Sequence, residues 1–307
     1  MMLALVIDGL AGWPGALYAR IGHPVTWLGR LIGALDVRWN RDGDAFARRR
    51  LAGMATALLV IMLASVPAMA VQIAIGPGWP RILLIGILAW PLVALRSLYE
   101  HVGAVAKPLQ AGDVEAARQA VAMIVGRDPA RLDDAGIARA AIESLAENTS
   151  DGIVAPIFWG ALFGLPGIVG YKAVNTLDSM IGHRDARHAA FGWAAARIDD
   201  IANLVPARLT GLLFALVSSR VSDALACMWR DARRHRSINA GWPEAAVAGA
   251  LGVRLCGPRV YHGEPAKEPW LNEDARDPVA LDVARALKLY VRAMGLFAAL
   301  LLCLALV

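Results

Sequence analysis

Residues 141–185 read AIESLAENTSDGIVAPIFWGALFGLPGIVGYKAVNTLDSMIGHRD, and this stretch decides the fold class. Its centre, residues 152–171, contains no charged side chain. Such a run of about 20 residues is long enough to enter the hydrocarbon core of a bilayer. Acidic, amide and basic residues crowd both of its ends. Because polar groups beside hydrocarbon are costly, these two clusters are candidate functional sites at a membrane boundary.

The composition supports a membrane protein. The 307 residues are 57% hydrophobic and 19% charged, and the mean hydropathy is +0.49. Soluble domains are usually about 45–50% apolar and about 25% charged. Arginines beside apolar segments account for the net charge of +5, as the positive-inside rule of membrane proteins predicts. We therefore expect a lipid bilayer as a partner and do not expect nucleic-acid binding.

We predict an all-α, polytopic integral membrane protein that forms a single domain over residues 1–307, with helical loops in the cytoplasm. Residues 51–75 lack charges and directly follow three arginines, Arg48 to Arg50. A turn rich in glycine and proline then returns the chain, so the arginine side of this hairpin should be cytoplasmic. The clearest predicted spans lie near residues 51–75, 82–98, 201–219 and 289–307, and four to six spans fit the sequence. No segment has the pattern of a convincing strand.

The run 152–171 allows two topologies. As a simple span it would place the two polar clusters in opposite compartments. It contains two prolines, Pro156 and Pro166, and several glycines. Broken helices and re-entrant segments are tolerated where protein buries them. The second hypothesis is therefore a re-entrant or broken hairpin that keeps both clusters on one side.

Two polar regions, near residues 123–151 and 172–200, carry the candidate chemistry. Before and within the first region, acidic residues predict helix starts. Asp113 precedes one apolar-periodic segment, and Asp133 or Asp134 can cap a second helix over residues 137–147.

The first cluster consists of Glu143, Glu147, Asn148 and Asp151. The three carboxylates are spaced four residues apart, which places them on one face of a helix. Three carboxylates in a stripe repel one another unless a cation lies among them. Mg²⁺ takes carboxylate oxygens and shares phosphate oxygens, so the stripe predicts a Mg²⁺–nucleotide site. The alternative is a solvated acidic face.

The second cluster contains Lys172, Asn175, Asp178 and Arg184. The two cations can balance phosphate charge, and arginine is better suited to bidentate contact. Lys172 could instead extend its ammonium from apolar surroundings to water. Asp199, just before an apolar segment, is either a metal ligand or part of a charge pair at a helix N-terminus.

Several common catalytic motifs are absent from the sequence. It has no GxxxxGK[ST] phosphate loop, no HExxH and no GxSxG. The three cysteines, Cys227, Cys256 and Cys303, are far apart and lack metal-ligand spacing. We expect them to be isolated thiols in apolar surroundings.

Seven segments along the chain are distinctive in order and composition. They are Gly22-His-Pro-Val25 with Gly29-Arg30, Ile124-Val-Gly-Arg-Asp128, Glu143-Ser-Leu-Ala-Glu-Asn-Thr-Ser-Asp-Gly152, Lys172-Ala-Val-Asn-Thr-Leu-Asp-Ser-Met-Ile-Gly182, Asp199-Asp-Ile-Ala-Asn-Leu-Val-Pro-Ala-Arg208, Asn239-Ala-Gly-Trp-Pro243 and Gly257-Pro-Arg-Val-Tyr261. In these segments the chain resembles the CobD/CbiB family, the membrane-bound adenosylcobinamide-phosphate synthases, along nearly its whole length. One departure is Gly12-Trp13-Pro14, where the family usually has Gly-Asp-Pro.

This resemblance implies an ATP-consuming amide-bond ligase of cobalamin biosynthesis. It would join (R)-1-aminopropan-2-ol, or its phosphate, to the remaining propionate of adenosylcobyric acid. Mg²⁺ would be the cofactor and ATP a co-substrate. We expect a multi-pass protein of the inner membrane whose active site faces the cytoplasm, either as a homo-oligomer or with other enzymes of the pathway.

Roles for individual residues follow as hypotheses. Glu143 or Asp199 would take a proton from the attacking ammonium. The metal ligands would be Glu147, Asp151 and Asp178. The groups binding phosphate or orienting substrate would be Arg127, Asp128, Asn148, Lys172, Asn175 and Arg184.

Two other functions fit parts of the sequence. A non-catalytic membrane sensor like the AmpE proteins, distant relatives of the family, would have no chemical need for both full clusters. A corrinoid transporter would need polar groups through several spans, and the predicted span 51–75 offers only Thr56, Ser65 and Gln72.

Overall fold

Helices form almost all of the regular structure in the computed structural model. It describes residues 1–125, 132–183, 185–261, 264–266 and 268–306, and all of their side chains except those of 259–261, 264–266 and 306. In chain order the elements are α1 (Met2–Ala11), α2 (Gly15–Ile21), α3 (Pro24–Trp39), α4 (Phe46–Ile75), α5 (Trp79–Ala89), α6 (Leu95–Gln110), α7 (Val114–Ala122), α8 (Asp134–Thr149), a π-helical turn (Ser150–Val154), α9 (Ala155–Phe163), α10 (Leu165–Ile181), α11 (Trp193–Ala202), α12 (Leu204–Leu216), α13 (Val221–Asp231), α14 (Gly241–Leu251), β1 (Leu255–Cys256), β2 (Arg259–Tyr261), β3 (Glu264–Ala266), β4 (Trp270–Leu271) and α15 (Ala280–Leu306), with short 3-10 turns at Trp90–Leu92 and Ala232–Arg234.

The internal contacts divide the chain into two units. Unit 1 comprises Met1–Ala94 and Ala155–Asn203, and unit 2 comprises Leu95–Val154 and Leu204–Val307. Each unit is assembled from two separate stretches of sequence. That residues 1–307 form a single domain stays a prediction.

Three helices of the described residues are long and apolar enough to cross a membrane. They are Phe46–Ile75, Trp79–Gln110, which includes the 3-10 turn, and Ala280–Ala305. A fourth span results if Met2–Ala11 and Gly15–Trp39, bent by 106°, count as one. The predicted polytopic helical fold is confirmed.

The predicted span near residues 201–219 has a different structure. Asn203 separates α11 from α12, and α12 is only 13 residues long. A crossing helix needs about 20 residues. Pro206, Thr210 and Phe214 are among its buried side chains, so α12 contributes to the interior of unit 2.

A core of α3, α4 and α10 side chains organises unit 1. Ile32, Val60 and Leu177 are fully buried there together with Phe191. At Gly53 of α4, a Cβ atom would lie 1.7 Å from the carbonyl oxygen of Phe191. Only glycine permits this approach, so the position fixes the packing of α4 on the segment before α11.

The uncharged run 152–171 is broken and not straight. Gly164 adopts a φ of +72° between α9 and α10, a left-handed conformation that favours glycine. The two helices pack on each other so closely that a Cβ at Gly167 would lie 2.2 Å from the carbonyl oxygen of Trp159. The run therefore forms a helical hairpin, as the broken-hairpin hypothesis predicts. Its placement in a membrane stays a prediction.

Unit 2 is built around α14, whose residues from Gly241 to Leu251 are all buried. Helices α8, α12 and α13 pack against it. Small residues allow the close contacts: a Cβ at Gly249 would lie 2.5 Å from the carbonyl oxygen of Asp223. The predicted helix starts are confirmed, since Asp113 accepts the N–H of Ala116 at 3.0 Å and Asp133 accepts that of Gly136 at 2.8 Å.

Four short strands were not predicted. In unit 2, β1 pairs with β4 and β2 pairs with β3, both antiparallel. Each strand has two or three residues, too few to show the alternation that identifies a strand in sequence.

Candidate functional site

The two polar clusters belong to different units. Residues 143–151 lie in unit 2, and residues 172–200 lie in unit 1. Three of the predicted site residues, Arg127, Asp128 and Arg184, lie outside the described residues. That the two clusters converge on one pocket stays a prediction from the sequence.

Helix α8 holds Glu143 and Glu147 one turn apart in unit 2. Glu143 is buried, and its Oε1 accepts the backbone N–H of Cys256 at 2.7 Å. Glu147 retains solvent access, yet enough protein surrounds its carboxyl that desolvation raises its pKa to about 7, with Glu244 and Glu143 adding to the rise. His235 and Arg236 act in the opposite direction. Glu147 is therefore part of a charged cluster and not of a fully hydrated acidic face.

Residues that are distant in sequence complete this cluster. Glu244 is only 3% exposed on the buried helix α14. Its Oε2 accepts the thiol of Cys256 at 3.0 Å and lies 3.8 Å from Nε2 of His235. We call Glu143, Glu147, His235, Glu244 and Cys256 the glutamate cluster.

The third carboxylate of the predicted stripe, that of Asp151, lies beyond the end of α8. Helix α8 ends at Thr149, and Asp151 lies in the π-helical turn Ser150–Val154. A π-turn has a wider register than an α-helix and is frequently found at functional sites. Ser150 Oγ is buried there with no hydrogen-bond partner among the described residues. Asn148 donates its amide N–H to the carbonyl oxygen of Ser144 at 2.9 Å.

Asp178 is the central carboxylate of the second cluster, in unit 1. Desolvation and the nearby Asp200 raise its pKa, whereas His183 and Arg197 lower it. A Cβ at Gly182 would lie 2.0 Å from Oδ1 of Asp178. The carboxylate therefore occupies space that only a glycine at residue 182 leaves open.

The other predicted residues of unit 1 form two smaller groups. Lys172 donates to Oδ1 of Asn175 at 3.4 Å. Asp199 is buried on α11, and its Oδ2 accepts Nδ2 of Asn203 at 3.0 Å. Asn203 Oδ1 in turn accepts the hydroxyl of Tyr171 at 2.9 Å. Asp199 thus lies in a hydrogen-bonded network at the end of α11.

The expectation that all cysteines have apolar surroundings is wrong for two of them. Cys227 and Cys256 are buried, but Cys227 lies 3.6 Å from Asp231 Oδ2 and Cys256 contacts Glu244. Burial and the charge of Asp231 raise the pKa of the Cys227 thiol to about 12. Cys303 is exposed on α15.

Sequence reasoning missed His235, Glu244 and Cys256. They are separated along the chain and form no motif, and only the packing of α14 beside α8 brings them together. One signal was present: an acid within the small, apolar segment 242–257 must be buried if the segment is, and a buried acid needs partners.

Membrane-length helices together with clustered, partly buried carboxylates define a helical membrane protein with polar centres suited to binding cations. The chain belongs to the CobD/CbiB family, since residues 1–290 match the family described as CobD/Cbib protein. No solved structure matches the chain.

Similar proteins include three named Cobalamin biosynthesis protein CobD. The protein from Rhodobacter capsulatus is 64% identical over 295 residues, which cover 96% of this chain and 93% of the relative. The protein from a Sinorhizobium species is 47% identical over 286 residues, or 90% and 88% of the two chains. The Brucella anthropi protein is 44% identical over 308 residues, or 98% and 94%.

Proposed function

We propose that the protein is an ATP-dependent ligase of cobalamin biosynthesis. It joins (R)-1-aminopropan-2-ol, or its O-phosphate, through an amide bond to the free propionate of adenosylcobyric acid. Membership of the CobD/CbiB family supports the pathway. The observation that carries the chemistry is the gathering of Glu143, Glu147 and Glu244 with His235 around the N-terminal part of α14.

The carboxylates fit the Mg²⁺ that ATP chemistry needs. Mg²⁺ is bound through carboxylate oxygens together with substrate phosphates. In unit 2, Glu244 and Glu143 act electrostatically on Glu147, and in unit 1 Asp200 acts on Asp178. A divalent cation at each of these carboxylates would relieve the repulsion there. Glu147, Asp151 and Asp178 would hold Mg²⁺, which would supply charge neutralisation for the phosphates of ATP.

Activation of the propionate is the first requirement, because a carboxylate and an amine do not condense readily in water. A propionate oxygen attacks the γ-phosphorus of ATP, the bond from that phosphorus to the β,γ-bridging oxygen breaks, and ADP leaves, so that an acyl phosphate forms. The phosphates are bound by Lys172, Arg127 and Arg184. The amides of Asn148 and Asn175 orient the ligands. Such positioning and charge stabilisation are the principal sources of catalysis in phosphoryl transfer.

Amide formation is the second step. The amine nitrogen bonds to the acyl carbon, the bond from that carbon to the phosphate oxygen breaks, and phosphate leaves. The nitrogen loses a proton to a carboxylate, for which Glu143 and Asp199 are the candidates. A non-catalytic sensor would have no chemical need for three glutamates around one buried helix.

Purified protein in nanodiscs, supplied with adenosylcobyric acid, ATP, Mg²⁺ and each amine in turn, tests the proposal by mass analysis of the corrinoid products. We expect a new corrin amide with one or both amines. Its absence with both amines would overturn the ligase assignment.

Matched variants test the metal ligands. Glu147→Ala and Asp178→Ala should abolish turnover while membrane insertion is retained. Glu115→Ala removes a carboxylate that is 70% exposed and pairs across one turn with Arg118, so it should retain activity. Near-normal turnover in both Glu147→Ala and Asp178→Ala would exclude these two residues as Mg²⁺ ligands.

A further inference from the structure

We propose that His235, Glu244 and Cys256 bind a divalent transition metal of the zinc class in unit 2. Its donors differ from the proposed Mg²⁺ ligands Glu147, Asp151 and Asp178, and the proposal does not rest on the ligase reaction. One ligand atom from each side chain lies within 4.8 Å of the other two.

The distances between donor atoms suit a tetrahedral ion. Zinc bonds of about 2.0–2.3 Å in a tetrahedral arrangement place ligand atoms roughly 3.3–3.8 Å apart. Glu244 Oε2 lies 3.0 Å from the Cys256 sulfur and 3.8 Å from Nε2 of His235. The first separation is shorter than this range and the second is at its upper end, so small side-chain adjustments are sufficient for coordination.

The donor types select the metal. Thiolate and imidazole favour zinc and similar ions, whereas Mg²⁺ prefers an all-oxygen shell. Three protein donors are the number found at catalytic zinc sites, where a water or a substrate atom is the fourth ligand. The site is therefore suited to bind a substrate donor atom.

Groups other than the three donor atoms hold these side chains in place. Glu244 projects from the fully buried helix α14. The backbone N–H of Cys256 is fixed on Glu143 at 2.7 Å. Nδ1 of His235 accepts the backbone N–H of Ser237 at 3.0 Å and lies 3.3 Å from the carbonyl oxygen of Ser237. Metal binding through Nε2 therefore requires that the proton move to Nδ1, which then donates to this carbonyl oxygen. A backbone carbonyl in this role is the usual support of a metal-bound histidine.

The local charge also favours a cation. Glu143 and Glu244 both act on Glu147, opposed by His235 and Arg236. Arg236 lies 3.3 Å from a further carboxylate, that of Glu268. A divalent ion would balance the glutamates and would hold the Cys256 thiol in its deprotonated form.

Cobalt titration of the full-length protein in detergent, after treatment with a chelator, tests the proposal. Co²⁺ is a spectroscopic substitute for Zn²⁺. We expect one equivalent to bind, with strong visible bands of a tetrahedral ion and a sulfur-to-cobalt charge-transfer band in the near ultraviolet. Zn²⁺ should displace it. No stoichiometric binding would overturn the site and would leave the thiol–carboxylate contact as a hydrogen bond.

Variants locate the donor atoms. Cys256→Ser should lose the charge-transfer band, and Glu244→Gln and His235→Ala should weaken Zn²⁺ binding by more than about 100-fold, since even supporting groups contribute about 10–100-fold. Cys227→Ser changes the other buried thiol, outside the site, and should retain the full spectrum. A charge-transfer band that persists in Cys256→Ser, or disappears in Cys227→Ser, would overturn the assignment. Glu244→Gln nearly preserves the shape of the side chain. An unfolding temperature close to that of the wild type would therefore show that weaker Zn²⁺ binding in this variant is not caused by misfolding.

Discussion

The carboxylate of Glu143 and the backbone N–H of Cys256, 113 positions apart, form a 2.7 Å hydrogen bond. Both groups are buried. Because a carboxylate accepts this bond, it is charge-assisted and stronger than one between neutral groups. The bond anchors β1 to α8 and gives Glu143 a structural role in addition to its proposed role as a base.

Two substitutions separate these roles. Glu143→Gln retains an oxygen that can accept the N–H, so we expect an unfolding temperature close to that of the wild type. Its amide cannot take up a proton, so corrin-amide formation should fall by about 10²–10⁴-fold, the usual contribution of a general base. Thermal unfolding and a turnover assay on the same preparation provide the measurements.

Glu143→Leu is the matched control for the hydrogen bond. It leaves the N–H of Cys256 buried without that acceptor, which should cost about 1–3 kcal/mol of stability. Wild-type turnover in Glu143→Gln would exclude Glu143 as the base and would leave Asp199 as the candidate.

A methyl group at residue 182 should displace the carboxylate of Asp178 without any substitution of Asp178 itself. In Gly182→Ala the new Cβ would lie 2.0 Å from Oδ1 of Asp178 and 2.7 Å from its carbonyl oxygen, so the carboxylate must move. We expect turnover to fall towards that of Asp178→Ala. Gly103→Ala, where a Cβ meets nothing within 4 Å, should retain activity. Full activity in Gly182→Ala would show that the position of Asp178 does not matter.

Asp231 should contribute stability that depends on pH. Burial acts to raise its pKa, but hydrogen bonds from Arg230 and from the backbone N–H of Asn272 outweigh burial and hold the pKa below its ordinary value of 3.8. A carboxyl with a lowered pKa stabilises the folded state above about pH 4, and this contribution is lost as the pH falls through the folded-state pKa.

The variant Asp231→Asn should therefore be less stable than the wild type at neutral pH by roughly 2–4 kcal/mol, because the side chain is fully buried and accepts several donors. The difference should narrow below about pH 4. Thermal unfolding in detergent from pH 3 to pH 7 measures it, and a difference that stays constant with pH would contradict the assignment.

The sequence predicted local features well. Asp113 and Asp133 cap their helices as expected because capping depends on neighbouring residues alone. The four-residue spacing of Glu143 and Glu147 likewise places both on α8. Asp151 lies beyond α8 in a π-turn, and no simple pattern in the sequence predicts that turn.

Long-range features could not be predicted in the same way. Glu244 and Cys256 approach Glu143 only because α14 packs into the middle of unit 2. The short length of α12 also follows from packing, since an apolar segment buried within protein resembles a membrane span in composition.

The native cysteines permit a direct topology test. Cys227 and Cys256 are buried, and only Cys303 is exposed among the three. A membrane-impermeant thiol reagent should therefore leave Cys227 and Cys256 of the folded protein unlabelled. Replacing Cys303 by serine gives a background in which introduced cysteines report their own side of the membrane.

In that background, Asn148→Cys and Ser179→Cys, both at exposed positions, should be labelled from the same side, because the hairpin of α9 and α10 returns the chain after the run 152–171. Two controls flank the long helix α4: Arg48→Cys near its start, and Trp79→Cys beyond its end, at the start of α5. The side chain of Arg48 is 73% exposed and Trp79 is 73% exposed, and we expect them to be labelled from opposite sides. If the cysteines at residues 148 and 179 are labelled from the same side as the cysteine at residue 48, both clusters lie on the arginine-rich side, where ATP is available. Labelling of residues 148 and 179 from opposite sides would show that the run crosses the bilayer, and would exclude a ligase that uses both clusters in one compartment.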